Sequence, residues 1–195
     1  MPTTDPPFIH ALARVEDGVA VGPGSKVWAG AHLRTGARIG AECVIGSDVT
    51  VDAGVVIGDR CKVQNAALLY RGVRLGSGVF VGPGAILTND RKPRAVAPDG
   101  RLLTDEDWAI AEIVVDDGAS IGANATVVAG TRIGAWSMVG AGSVVTHHVV
   151  PHELVAGVPA RRIGGVCACG QTAAGAGAEE ITCSACGRRF TVGTA

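Results

Sequence analysis

Between Leu87 and Val115 the chain gathers its densest set of side chains able to bind an anion. The segment 88–112 reads TNDRKPRAVAPDGRLLTDEDWAIAE, and its first half sets Arg91, Lys92, Arg94 and Arg101 against Asp90 and Asp99. Guanidinium forks match carboxylates and phosphates two bonds at a time, so Arg94 and Arg101 are candidate ligand contacts. Asp105, Glu106 and Asp107 follow beside Trp108. Thr104 ahead of those acids predicts a short helix running to about Ala111. An irregular insertion of this length in a regular chain points to a functional loop.

Six cysteines divide into two kinds. Cys167-Ala168-Cys169-Gly170 and Cys183-Ser184-Ala185-Cys186-Gly187 form two close pairs, each followed by Gly, joined by a flexible Gln171 to Glu180 stretch. That pattern resembles the two knuckles of a zinc ribbon, although the first pair is C-x-C and not C-x-x-C. In a reducing compartment four thiolates suit structural zinc better than disulfides. Cys43 and Cys61 stand 18 residues apart at inward positions and read as small buried apolar residues, not nucleophiles.

The element that must position all of this is a six-residue repeat. Every sixth residue from Val15 through Leu87 is Val, Ile or Leu, and the series resumes at Val115, Ile121, Val127, Ile133, Val139 and Val145. A small or β-branched residue sits four places after each, as in Ala31, Ala37, Cys43, Val49, Val55, Cys61 and Ala67. Such a period means stacked strands. A helix fails, because residues i and i+6 lie on different faces of a 3.6-residue turn. Three six-residue sides closing into an 18-residue coil give a triangular prism whose coils stack at about 4.8 Å. The fold expected is therefore all-β, a parallel β-helix. Residues 1–14 are expected as an N-terminal cap, 15–164 as the β-helix with its loop, and 165–195 as a four-cysteine, zinc-ribbon-like module.

Composition narrows the function classes. Net charge is −1 over 195 residues, which gives no reason to expect nucleic acid or an acidic membrane as partner. Met1 to Pro7 is polar and Pro-rich, unlike a signal peptide, and no apolar run is long enough to span a bilayer. A soluble cytoplasmic protein is the expectation.

The run PHELVAGVPARRIG (Pro151 to Gly164), preceded by VGAGSVVTHHVVP, resembles the last coil and tail of hexapeptide-repeat acyltransferases, which are left-handed β-helices. More narrowly, Val27-Trp28, His32, Lys62-Val63-Gln64-Asn65, Tyr70, Gly82-Pro83, Thr88-Asn89 and Pro93-Arg94 resemble the N-acetyltransferases of nucleotide-linked 3-amino sugars, typified by the UDP-2-acetamido-3-amino-2,3-dideoxy-glucuronate enzymes. The chain departs from them at Ala29-Gly30, Ala66-Ala67 and Arg91-Lys92, along the sugar pocket that the resemblance implies. The resemblance implies a homotrimer, with acetyl-CoA lying in the groove between neighbouring prisms.

Acetyl transfer to an amine needs a neutral amine, alignment with the thioester carbon, and donors for the oxyanion. A hydroxyl acceptor would want a general base, and none of the five His residues lies in the loop or beside Gln64-Asn65. Asn65 is the candidate that holds the amine, with Asn89 opening the loop towards the same groove. Lys62, Gln64 and Tyr70 are candidate nucleotide-sugar contacts. His32, about two coils or ~10 Å below the Asn65 level, could meet the nucleotide. Gly140 and Ala141 are expected to contact CoA through their backbone, with Arg161 and Arg162 meeting its phosphates. Alternatives on this fold are an O-acetyltransferase of another small acceptor, a γ-type carbonic anhydrase, for which the spaced His residues are lacking, and a non-catalytic scaffold.

Overall fold

The structure, a computed structural model, describes residues 3–104, 106–173 and 180–193. It is a left-handed β-helix of about 8 turns. Its three faces are three parallel sheets. Sheet A begins with Phe8–Ile9 and Lys26–Val27 and climbs through Lys62–Val63 to Met138–Val139. Sheet B runs from Arg14–Val15 to Val144–Val145, and sheet C from Ala20–Val21 to Arg132–Ile133. The register follows the 18-residue coil, with Val63 beside Ile45 below and Val81 above.

The aliphatic series points inward and fills the prism, with Val27, Leu33, Ile45, Val63, Leu69 and Leu87 all fully buried. The small residue of each repeat faces them across a corner, because the narrow interior holds one large and one small side chain per side. Cys43 and Cys61 take such places, with their thiols 3.1 and 3.0 Å from the carbonyls of Gly58 and Gly76. The neighbouring Cys43 thiol and burial push the Cys61 thiol far above its ordinary range, and both side chains are fully buried packing.

Backbone hydrogen bonds join each coil to both of its neighbours. Backbone N–H groups donate to the coil above, as Lys62 does to the Val79 carbonyl and Gln64 to that of Val81. At the corners the sense reverses, as the Asp48 N–H donates to the Ala29 carbonyl and the Arg60 N–H to that of Ala41 in the coil below. The loop does not disturb this ladder, since Leu69 pairs with Leu87, Leu87 with Val127, and Leu75 with Val115.

Two features differ from expectation. The first fourteen residues contribute more than a cap, because Phe8–Ile9 and Arg14–Val15 already pair with Lys26–Val27 and His32–Leu33. Ile9 continues the six-residue phase below Val15. No helix forms among the described residues between Thr104 and Ala111; the Asp107 N–H donates to the Thr104 carbonyl, and the Asp107 carboxylate accepts from the Thr104 N–H and is tied back to Arg101. Asp105 lies outside the described residues, as do residues 174–179 of the stretch joining the cysteine pairs.

Above the last coil, Glu153–Gly157 extends sheet A, Ala160–Val166 returns antiparallel to it, and Thr172–Ala173 adds at the edge. Cys167, Cys183, Phe190 and Val192 form a second small core that packs on Val150 at the end of the prism.

Candidate active site

The loop leaves the corner between sheets B and C after Leu87 and returns at Ile113. Its neck is clamped. The Thr88 hydroxyl donates to the Val127 carbonyl (3.2 Å) and accepts from the Ala129 N–H (2.9 Å). The Asn89 carbonyl accepts from Ala111 N–H at 3.1 Å, so Asn89 closes the base of the loop. Further out, Val96 bridges Leu102 antiparallel around Asp99-Gly100, a small hairpin of its own. Ile110 lies against Gly72, where any Cβ would collide with it.

Inside the loop is a cavity of about 520 Å³, whose polar lining includes Arg91, Lys92, Arg94, Asp90 and Asp107, with Trp108 as its aromatic wall. Of the two arginines expected to meet ligand, Arg94 lines this cavity and spends one N–H on its neighbour's carbonyl, that of Pro93. Arg101 is engaged elsewhere. It makes a two-pronged ion pair with Asp107, with both bonds at 2.8 Å. Asp107 also accepts from the Thr104 N–H and hydroxyl. The Arg101 guanidinium, then these Thr104 donors, hold the Asp107 carboxyl well below the usual carboxylate range. Arg101 thus shapes the loop while Arg91, Lys92 and Arg94 supply its cationic lining.

Tyr70 stands exposed on the same corner, one coil below, its N–H bonded to the Leu87 carbonyl. Lys62, Gln64 and Asn65 do not. They occupy the other edge of face B, at the corner between sheets A and B. Within one chain the structure therefore separates the residues expected in the site into two groups flanking face B. Gly140 and Ala141 lie on the Asn65 corner, three coils higher, about 14 Å at strand spacing.

Asn65 has a defined seat. Its Oδ1 accepts from the Ser47 N–H at 3.0 Å, just as Asp59 accepts from Ala41 (2.8 Å) and Asp117 from Ser77 (2.7 Å) at other corners. The seat requires Gly46 in the coil below, because a Cβ there would come within 2.5 Å of Asn65 Oδ1 and 2.7 Å of its backbone nitrogen. The carboxamide is thus held facing outward, with a second lone pair on Oδ1 and, among the described residues, no partner on its nitrogen.

His32 lies on face B, below Thr50 and then Leu68, at the depth counted from the repeat. Its Nε2 is 2.7 Å from Glu16 Oε1. The Thr35 backbone N–H first, and then His32, lower the Glu16 carboxyl to about 2. Glu16 was not legible as its partner, because stacking by 18 sets Arg34, not His32, above Glu16.

At the C-terminal end Arg161 is exposed and bonds the carbonyl of Ala160. Arg162 is half-buried; its Nε lies 3.7 Å from Glu153 Oε1, and its Nη2 donates to the Gly193 carbonyl at 3.5 Å. It ties the tail hairpin to the cysteine module. The four thiols of Cys167, Cys169, Cys183 and Cys186 lie within 4.8 Å of one another, with two pairs at 3.6 Å. Sulfurs ~2.3 Å from a tetrahedral zinc stand ~3.8 Å apart, so the donor set and its spacing fit that ion. The C-x-C pair achieves this because Gly170, at φ +89°, turns the chain directly after Cys169.

The hexapeptide repeat of succinyl-transferase matches residues 36–71 and 112–147. A dTDP-3-amino-3,6-dideoxy-alpha-D-galactopyranose 3-N-acetyltransferase of Aneurinibacillus thermoaerophilus is 55% identical over 56 residues, 29% of each chain. A 2,3,4,5-tetrahydropyridine-2,6-dicarboxylate N-acetyltransferase of Staphylococcus aureus is 34% identical over 85 residues, 44% of this chain and 30% of that protein. The matches thus span less than a third of these relatives' length. Among solved structures, PerB from Caulobacter crescentus in complex with CoA and GDP-perosamine superposes with a TM-score of 0.53 at 26% identity, over 82% of this chain and 58% of that one. The acetyltransferase domain of PglB from Neisseria gonorrhoeae shares the fold, at 24% identity and a TM-score of 0.54 over 81% and 58% of the two chains.

Proposed function

We propose that this hexapeptide-repeat protein is an acetyl-CoA-dependent N-acetyltransferase acting on the amino group of a nucleotide-linked amino sugar. The observation that carries this reading is the loop cavity. Arg91, Lys92 and Arg94 beside Trp108 offer charge for a diphosphate and a flat wall for a base or sugar, on a prism similar to one that holds CoA and GDP-perosamine.

The working unit is a homotrimer. Face B carries an outward column of Leu68, Ile86, Thr126 and Val144, half-buried in the single chain and apolar but for Thr126, between its two candidate corners. Packing prisms along that face sets the Asn65 corner of one protomer against the loop of its neighbour. The sugar nucleotide then lies with its diphosphate towards Arg91, Lys92 and Arg94, and Tyr70 and Asn89 near the neck. Lys62, Gln64 and Asn65 come from the partner. Acetyl-CoA runs up the Asn65 corner past Gly140 and Ala141, with Arg161 meeting its phosphates. Arg162 and Arg101 hold the architecture around the ligands.

In the reaction the amine nitrogen attacks the thioester carbonyl carbon. One amine N–H donates to Asn65 Oδ1, whose other lone pair is occupied by Ser47, so the nitrogen lone pair stays free and aimed. The tetrahedral intermediate collapses with loss of the C–S bond. The proton lost by nitrogen ends on the CoA thiol, leaving an amide. No side-chain base is required for an amine that arrives neutral. The four cysteines hold a structural zinc whose coordination they complete, so it takes no part in the chemistry. The protein works in the cytoplasm, where nucleotide sugars and acetyl-CoA are found.

Mass spectrometry and NMR of the product test this. Gain of one acetyl group on nitrogen is expected with a UDP-, dTDP- or GDP-linked amino sugar. Acetyl on a hydroxyl, or acylation of an amino dicarboxylate alone, would replace the reading.

A further inference from the structure

The two ends of the prism are chemically unlike. The first coil leaves an open strand edge on each of the three sheets, and the carbonyls of Ile9, Val15 and Val21 there accept no bond among the described residues. The inward aliphatics of that coil are uncovered too: Ile9 is 39% and Val15 40% exposed, beside Leu12 at 73%. At the other end sheet B stops at Val144–Val145 with a second open strand edge. Each coil stacks in parallel on the one below it, so the first-coil edge of one copy matches the last-coil edge of another in the same way, and such edges template further strands. Nothing in the repeat itself would stop one prism from continuing into the next.

The C-terminal end carries the only built obstruction among the described residues. The hairpin of Glu153–Gly157 and Ala160–Val166 closes sheet A, and the cysteine module is fastened to it at several points. Val192 packs on Gly165, where a Cβ would meet it at 2.7 Å, and Gly193 N–H donates to the Pro151 carbonyl at 3.1 Å. The His152 and Phe190 rings stack at 5.1 Å, and His152 Nδ1 meets the Val166 carbonyl at 2.9 Å. Two of the four thiols, those of Cys167 and Cys183, belong to the same small core as Phe190 and Val192. A core this small does not hold a fold without a staple.

We propose that the cysteine module, stapled by the metal on its four thiolates, is an end stop: it pins the tail hairpin over the last coil and prevents the N-terminal end of a second copy from adding there. The inference rests on the zinc reading above and assigns that metal a task. Without the ion the module loosens from Pro151, His152 and Gly165, and the end of sheet A is left to a hairpin alone.

The test uses the full chain and three measurements: zinc content, circular dichroism, and light scattering with negative-stain imaging across a concentration series. Protein as purified is expected to hold one zinc per chain and to have a fixed mass. Stripping it with a chelator, or the Cys169→Ser/Cys186→Ser variant, is expected to leave the β-sheet spectrum intact while mass grows with concentration into rods one assembly wide. Zinc returned to stripped wild type should reverse this. Ile9→Lys/Leu12→Lys, which puts charge on the other end only, should keep stripped protein at its original mass. A fixed mass after stripping overturns the end stop and leaves the zinc reading standing. Growth that the N-terminal variant fails to suppress is general aggregation, and it also overturns the proposal. Protein that neither contains nor takes up zinc overturns both.

Discussion

Asn65 is assigned two roles that substitution can separate. As a corner residue it accepts the Ser47 N–H at 3.0 Å, and as a site residue it offers its remaining lone pair to the acceptor amine. Asn65→Ala removes both. Loss of one exposed hydrogen bond costs about 0.5–1.5 kcal/mol, so the chain stays folded with a slightly lower melting temperature. Turnover is expected to fall by about 10²-fold, the scale of a nucleophile misplaced by ~1 Å. Asn65→Asp separates the roles further. Asp59 and Asp117 already make the same corner bond at 2.8 and 2.7 Å, so stability should be unchanged. The new carboxylate favours the ammonium form, raising the amine pKa by about 1–3 units, so turnover falls near neutrality and recovers as pH rises. The assay is initial-rate thiol release against pH, paired with thermal denaturation of each variant. Asn65→Ala that melts earlier yet turns over at the wild-type rate would show Asn65 to be a corner residue only.

Asp107→Asn takes the charge from the Arg101 clasp, and the loop cavity loses its set shape; KM for the sugar nucleotide should rise several-fold while KM for acetyl-CoA is unchanged, read from initial rates with each substrate varied. Glu16 has a depressed carboxyl, from 4.5 to about 2, so its bonds to Thr35 and His32 stabilise the first coils above pH 4.5. That contribution is lost as pH falls through about 2, and Glu16→Gln should flatten this part of a melting-temperature profile against pH. Leu87→Ala empties a fully buried site at the root of the loop and should cost about 2–5 kcal/mol in a denaturant titration.

The coil was legible because each inward side chain is one of a series in which position sets identity. Val63 faces in, and so its neighbours at Ile45 and Val81 must. Leu87 stacks on Val127 because the whole 28-residue step from Leu87 to Val115 takes the place of one side of the coil. Counting by sixes also places residues 64–65 and residue 88 on different corners, so the separation of Asn65 from the loop is written in the spacing. The inside of the loop is not periodic. Whether Arg101 meets a ligand or Asp107 depends on the Val96–Leu102 turn, which has no repeat to announce it. Glu16 and His32 meet diagonally between stacked coils, out of step with the 18-residue column. The cysteines were legible as a set, while the seat of their module on Pro151 and Gly165 depends on packing that residue spacing alone does not encode.

The central claim is transfer to nitrogen on a nucleotide-linked sugar. The most direct measurement is the initial rate of CoA thiol release from acetyl-CoA with matched pairs of UDP-, dTDP- and GDP-linked sugars that differ only in amino against hydroxyl at one carbon. Release with the amino member of a pair and none with its hydroxyl counterpart is the predicted result. Equal release with both members, or none with any amine from folded protein, would contradict it.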